Sequence, residues 1–275
     1  MSQWSSEFVN TNGIQIHFNR TGGGGKPLIL AHGITDNGLC WTRLAKSLEL
    51  EYDILMIDAR GHGNSDAYEK GYQKQDHAED LAGLIETLEL DKPSLLGHSM
   101  GASNVATLAG NYPDLVGEII LEDPPWRSKP SVSTQEQKTR TMNWRQHIVE
   151  TRKKTREEIM EYGRTHNPTW DEIEFSPWAD SKKLVNPDVL EFLSEVTPWQ
   201  EDIQKIKCSS LLITADTDRG AIVSSKVAES VVVSNMNFQT VHIEGAGHNI
   251  RRERFEKYVE LIRGFLSDAV GSDDK

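Results

Sequence analysis

Cysteine is scarce in this chain: 275 residues carry only Cys40 and Cys208, far apart and with no histidine at metal-ligand spacing. That excludes a disulfide-stapled scaffold and the common zinc modules, and leaves the expectation of two buried thiols and no metal site. Long hydrophobic runs are also missing. No stretch approaches the ~20 apolar residues of a membrane helix, and "MSQWSSEFVN" lacks the basic start and apolar centre of a secretory signal, so a cytoplasmic protein is expected. Positive charge is in deficit as well. Thirty Lys and Arg face 42 Asp and Glu, a formal charge of -12 at pH 7, which repels nucleic-acid phosphates and anionic lipid. Neither nucleic acid nor membrane is an expected partner.

What is present is a rhythm of short apolar runs. "IQIHFNR" alternates like a half-exposed strand, whereas "PLILAHG", "DILMIDAR", "PSLLGHS", "GEIILED", "SSLLITAD" and "FQTVHIEG" are nearly continuously apolar, as strands covered on both faces should be. Helical patterns fall between them, around 39–48, 75–89, 100–112, 221–230 and 252–268. Strands alternating with helices predict an α/β protein with a mostly parallel sheet. "TGGGGK" lacks the rest of a phosphate-binding loop and precedes a strand, so it reads as a flexible turn.

One interval breaks the rhythm. The stretch from Asp123 to Ser209 far exceeds the dozen or so residues a parallel crossover needs. It opens with "DPPW" and holds Trp126, Trp144, Trp170, Trp178 and Trp199. A helical insertion over 126–205 is predicted. Its basic cluster Arg152, Lys153, Lys154 and Arg156 is interleaved with glutamates and reads as a solvated helix face; the tail "GSDDK" reads as disordered.

The chemistry concentrates in "LLGHSMGAS", residues 95–103. A strand ending in G-x-S-x-G and running directly into a helix is a nucleophile elbow, which holds Ser99 in a strained conformation at the C-terminal edge of the sheet. Gly97 and Gly101 leave room for the close approach, and the helix N-terminus favours developing negative charge. A serine needs an oriented base. Among nine histidines, His248 in "EGAGHNI" falls between the last strand and the last helix, on the same sheet edge. His242, inside that strand, reads as a packing residue, and His98 as pointing away from the serine, into the core or along the pocket wall. For the acid that orients the base, "LLITADTDRG" offers Asp218, further into its loop, with Asp216 capping the turn; Asp123, after the preceding strand, is the rival.

Serine, acid and histidine then follow in the order of α/β-hydrolases. "HGITD", "DARGHGNSD", "GHSMG", "ADTD" and "GAGH" fall in the right sequence, and nearly the whole chain resembles the α/β-hydrolase superfamily, of the capped, single-domain serine-hydrolase kind. The resemblance implies an eight-stranded, mostly parallel sheet flanked by helices. The core would comprise 1–125 and 206–275, with a helical cap, 126–205, inserted after the sixth strand. It implies catalytic Ser99, His248 and Asp218, an oxyanion hole from the backbone N–H groups of Ile34 and Met100, and no cofactor. Thr35, Trp41, His98 and Trp126 are expected around the substrate, His32 as a loop brace, and Asp58, Arg60 and His62 as a structural turn. The leading functional expectation is a carboxylesterase-like enzyme cleaving small esters or lactones, with an apolar pocket that disfavours charged groups. Carbon–carbon bond hydrolysis of a ring-cleavage dienoate is the second reading, followed by perhydrolase or haloperoxidase-like chemistry and, in another class, a triad-retaining ligand receptor.

Overall fold

The computed structural model describes residues 4–127, 134–194 and 198–270; "GSDDK" lies outside them. Eight strands form one sheet: β1 (Ser5–Thr11), β2 (Ile14–Arg20), β3 (Pro27–Ala31), β4 (Asp53–Ile57), β5 (Ser94–His98), β6 (Ile119–Glu122), β7 (Ser210–Ala215) and β8 (Phe238–Ile243). Their order is β1-β2-β4-β3-β5-β6-β7-β8. The pairs β1–β2 and β2–β4 are antiparallel and all others parallel. Every residue of β4, β5, β6 and β7 is buried, as expected of branched apolar runs covered on both faces.

Two strands differ from the sequence reading. The β2 strand lies inside the sheet, and His17 and Phe18 are buried consecutively instead of alternating. The β8 strand is an edge: Gln239, Thr240 and His242 are exposed. His242 is therefore not a packing residue; its Nδ1 pairs with Thr214 Oγ1 at 3.1 Å and its Nε2 with Asp216 at 2.9 Å.

The sheet carries α1 (Thr42–Leu48) and α10 (Phe255–Val270) on one face, and α2 (Lys74–Thr87), α3 (Met100–Asn111) and α8 (Ser225–Ser234) on the other, each face with its own apolar cluster. Between β6 and β7 stand α4 (Thr134–Lys153), α5 (Arg156–His166), α6 (Glu172–Leu184) and α7 (Trp199–Lys205). The last of these packs against α3 and buries Ile203 in the sheet core. A third apolar cluster joins Ile148 of α4 and Val185, Val189, Leu190 and Phe192, which follow α6, to Ile34, Ala59, Tyr72 and Met100, so this part of the segment between β6 and β7 packs on the loops at the C-terminal edge of the sheet. Cys40 is buried and Cys208 half-buried, both free; burial pushes each thiol up to about 11. Among the described residues no helix is long and apolar enough to cross a membrane.

Candidate active site

The turn between β5 and α3 has almost no slack. Ser99 has φ 52° and ψ -113°, a region L-residues rarely occupy and one that concentrates at functional sites. A Cβ on Gly97 would come within 2.4 Å of the Gly101 carbonyl oxygen, and one on Gly101 within 2.2 Å of Ala31 O; glycine is obligatory at both. The Ser99 amide donates to Glu122 O at 2.9 Å, tying the elbow to the end of β6.

Directly after that end sits Asp123, fully buried, with φ 41°. Its carboxylate accepts the amides of Ile222 and Val223 at 2.8 to 3.0 Å, and Oδ2 lies 2.6 Å from His248 Nδ1. Asp218, expected to play this part, is exposed on a short 3₁₀ turn (Thr217–Arg219). The reason is lateral distance. The β6 strand is the immediate neighbour of β5, with His98 paired to Glu122, whereas β7 lies one strand further out. Asp216 accepts the Gly245 amide at 2.7 Å as well as His242 and braces that loop.

With Nδ1–H donated to Asp123, the imidazole of His248 keeps Nε2 free to accept a proton. His98 fixes the backbone of the same loop: its Nε2–H donates to His248 O at 2.9 Å, and the two rings stand 4.7 Å apart. Burial, reinforced by Arg251, holds His98 well below the usual histidine range and therefore neutral.

On the other side, Gly33 O accepts both His32 Nδ1–H at 2.8 Å and the Asp36 amide at 2.9 Å. His32 Nε2 in turn accepts the Ala59 amide at 3.0 Å, a neutral tautomer that suits a ring whose pKa burial and nearby His62 push down to about 4. Met100 opens α3, so its N–H has no partner within the helix.

Ser99, His248, Ile34, Met100, Thr35, His98 and Trp126 all line one cavity of about 1310 Å³ beneath the insertion. Trp126 stacks on Trp199 at 5.4 Å in its wall. Trp41 does not line it: fully buried among the α1 and α10 packing, it is covered by the Arg251 guanidinium at 4.0 Å. Asp58, Arg60 and His62 brace the turn after β4, Asp58 through His17 and the Gly38 amide, Arg60 through Asp80.

Sequence reasoning missed the cavity's charge. Among the described residues Lys74, Arg127, Arg140, Lys154, Lys182 and Arg252 reach it, against one carboxylate, Asp36. The excess of acidic residues in the whole chain hid this local reversal, and the basic run of the insertion read as surface.

The family model for the alpha/beta hydrolase fold matches residues 26–156. A solved structure of E-2-(acetamidomethylene)succinate hydrolase superposes over 96% of this chain and 100% of its own with a TM-score of 0.81 at 23% identity. The chain has the α/β-hydrolase fold. Among curated relatives, 2-(acetamidomethylene)succinate hydrolase of Mesorhizobium japonicum is 42% identical over 104 residues, covering 38% of this chain and 37% of the relative. N-formylmaleamate deformylase of Pseudomonas putida is 36% identical over 118 residues, 42% of this chain and 44% of the relative. A 2-hydroxy-6-oxononadienedioate/2-hydroxy-6-oxononatrienedioate hydrolase of Burkholderia vietnamiensis is 29% identical over 126 residues, again 42% and 44%. Matching thus spans about two-fifths of each relative's length. The solved structure establishes the fold, and the reaction must be argued from the site.

Proposed function

We propose that the chain is a hydrolase that uses Ser99 to cleave a carbon–carbon or amide bond beside a carbonyl in a small, carboxylate-bearing compound. Ser99 Oγ attacks the carbonyl while His248 Nε2 takes its proton. Asp123 holds the imidazole in the tautomer that can do so, and the amides of Ile34 and Met100 face the oxyanion. His248 then delivers the proton to the departing nitrogen or carbon, and water releases the acyl group from Ser99 as a carboxylate.

The observation that carries this reading is the charge of the cavity: among the described residues six Lys and Arg reach it against one Asp, and although Lys74, Lys182 and Arg252 are ion-paired, Arg127, Arg140 and Lys154 make no ion pair, in a chain of net charge -12. A cationic, partly enclosed pocket selects anions. Its cost to a neutral ester displaces the ester or lactone expectation from first place. The relatives' names support the same direction, since a succinate, a maleamate and a dienedioate are all carboxylated.

The test is a panel of (acetamidomethylene)succinate, N-formylmaleamate, 2-hydroxy-6-oxononadienedioate and a neutral aryl acetate, assayed with wild type and Ser99→Ala. At least one carboxylated compound should exceed the aryl ester by tenfold or more in kcat/KM, with turnover lost in Ser99→Ala. Preference for the neutral ester would restore the esterase reading, and equal rates from the two proteins would remove Ser99 from the mechanism.

A further inference from the structure

Asp36 gathers cations from two elements remote in sequence. Its Oδ1 accepts Lys182 Nζ of α6 at 2.9 Å. Its Oδ2 accepts Arg252 Nη2 at 3.0 Å and lies 3.4 Å from Arg251 Nη2, both on α9 (Ile250–Glu253), the short helix that follows the His248 loop. Burial opposes ionisation of Asp36, yet Arg252, Lys182 and Arg251 hold it well below the usual carboxylate range.

Lys182 does more than neutralise. Its Nζ also donates to the Thr35 carbonyl at 2.7 Å and the Thr35 hydroxyl at 3.0 Å. An ammonium has three donors, and these three bonds use them all, so although Lys182 borders the cavity it has none left for a substrate. The adjacent Ser181 Oγ also lies 3.1 Å from the Thr35 carbonyl, its single hydrogen lying between that oxygen and Trp178 O at 2.7 Å. One turn of α6 is thus committed to residues 35 and 36.

Those residues control an oxyanion donor. The Asp36 amide bonds the Gly33 carbonyl, which belongs to the same planar peptide unit as the Ile34 N–H. In a trans peptide the two groups point opposite ways, so holding the carbonyl aims the N–H. We propose that Lys182 is a positioning residue that couples docking of α6 to the aim of the Ile34 amide, so that the oxyanion hole is complete only when the insertion is seated. This rests on the reading of Ser99 as the nucleophile, but not on which substrate is cleaved.

The coupling is tested with an alkyl fluorophosphonate, an uncharged probe in which the Ser99 oxygen bonds to phosphorus, fluoride leaves and His248 takes the serine proton. The phosphoryl oxygen needs the oxyanion donors, while no carboxylate subsite is engaged. Lys182→Met should slow labelling by about 10- to 100-fold, somewhat less than the loss of an oxyanion donor outright, and lower kcat on the best carboxylated compound by a similar factor with KM within threefold. Lys182→Arg should recover most of the rate. Lys182→Gln, which keeps an N–H toward Thr35, is run in parallel so that one variant retains the fold, and should fall between. Wild-type labelling rates in folded Lys182→Met or Lys182→Gln would overturn the coupling, as would a rise in KM alone, which would make Lys182 a substrate contact. A wild type that takes no label at Ser99 would instead remove the serine chemistry itself, and the coupling with it.

Discussion

Asp123 sits in a left-handed conformation with no exposure, held by two backbone amides, and directs its remaining lone pairs at His248. In the proposed mechanism it holds one tautomer of the imidazole. Asp123→Asn, which can present an N–H where the carboxylate accepted one, should lower kcat by ~10³- to 10⁴-fold, whereas Asp218→Asn should leave kcat and KM unchanged. Steady-state rates of both variants decide it, and an active Asp123→Asn would break the assignment. The placement of Ser99 and His248 at one cavity was legible because each is fixed by its neighbours: glycines at 97 and 101, and a strand and a helix on either side of 248. The carboxylate that pairs with His248 was not, since Asp123 and Asp218 both follow strands. What separates them is which strand lies beside β5, a fact of sheet order that no local pattern encodes. Trp41 illustrates a similar limit: a tryptophan three residues beyond the Gly38 turn can face a pocket or the core, and here Arg251 stacks on it from the inside.

At the scale of elements, uninterrupted apolar runs revealed β3 to β7 because these strands are buried on both faces. The β1 strand, "SSEFVNT", has a mostly exposed pattern and no comparable run, and β8 was read as interior although it is the sheet edge. Within the insertion, α4 is the least apolar helix: Trp144 and Ile148 turn to the third cluster, while Arg140 reaches the cavity from the same helix. Among the described residues Arg140 makes no ion pair, in contrast to Lys74 with Asp202 and Arg252 with Asp36. A guanidinium with its donors unspent is suited to bidentate recognition of a carboxylate. Arg140→Gln should therefore raise KM for a carboxylated compound by about tenfold, on the order of 1.4 kcal/mol, without changing the KM of a neutral ester. Equal effects on the two would assign Arg140 to the packing of α4.

For the whole molecule, the distribution of buried histidines sets the response to acid. His32, His62, His77 and His98 are buried, and burial lowers all four from 6.5, His32 to about 4. The unfolded chain accepts protons on these rings as pH falls through about 6.5, while the folded chain refuses them until lower pH, so unfolding takes up protons and acid favours it. Their contribution is complete above the unfolded value and is lost as pH falls from about 6.5 through 4, at up to about 1.4 kcal/mol per pH unit for each ring. Protonation also reduces the net negative charge and its self-repulsion, which acts the other way. That repulsion is spread over the surface and screened at 0.15 M salt, where the Debye length is about 8 Å; burial raises Asp80 and Glu122, which offsets part of the rings' effect, while Asp36 and Asp58, held below the usual carboxylate range, add to it. Urea unfolding in 0.15 M salt should give a midpoint that is flat above pH 7 and falls steeply between pH 6.5 and 4. His77, whose Nε2 is buried with no hydrogen-bond partner among the described residues, isolates one ring: His77→Gln should flatten the slope by about one proton's worth. A midpoint unchanged between pH 7 and 5 would show that these rings titrate normally in the fold and that their burial carries no proton linkage.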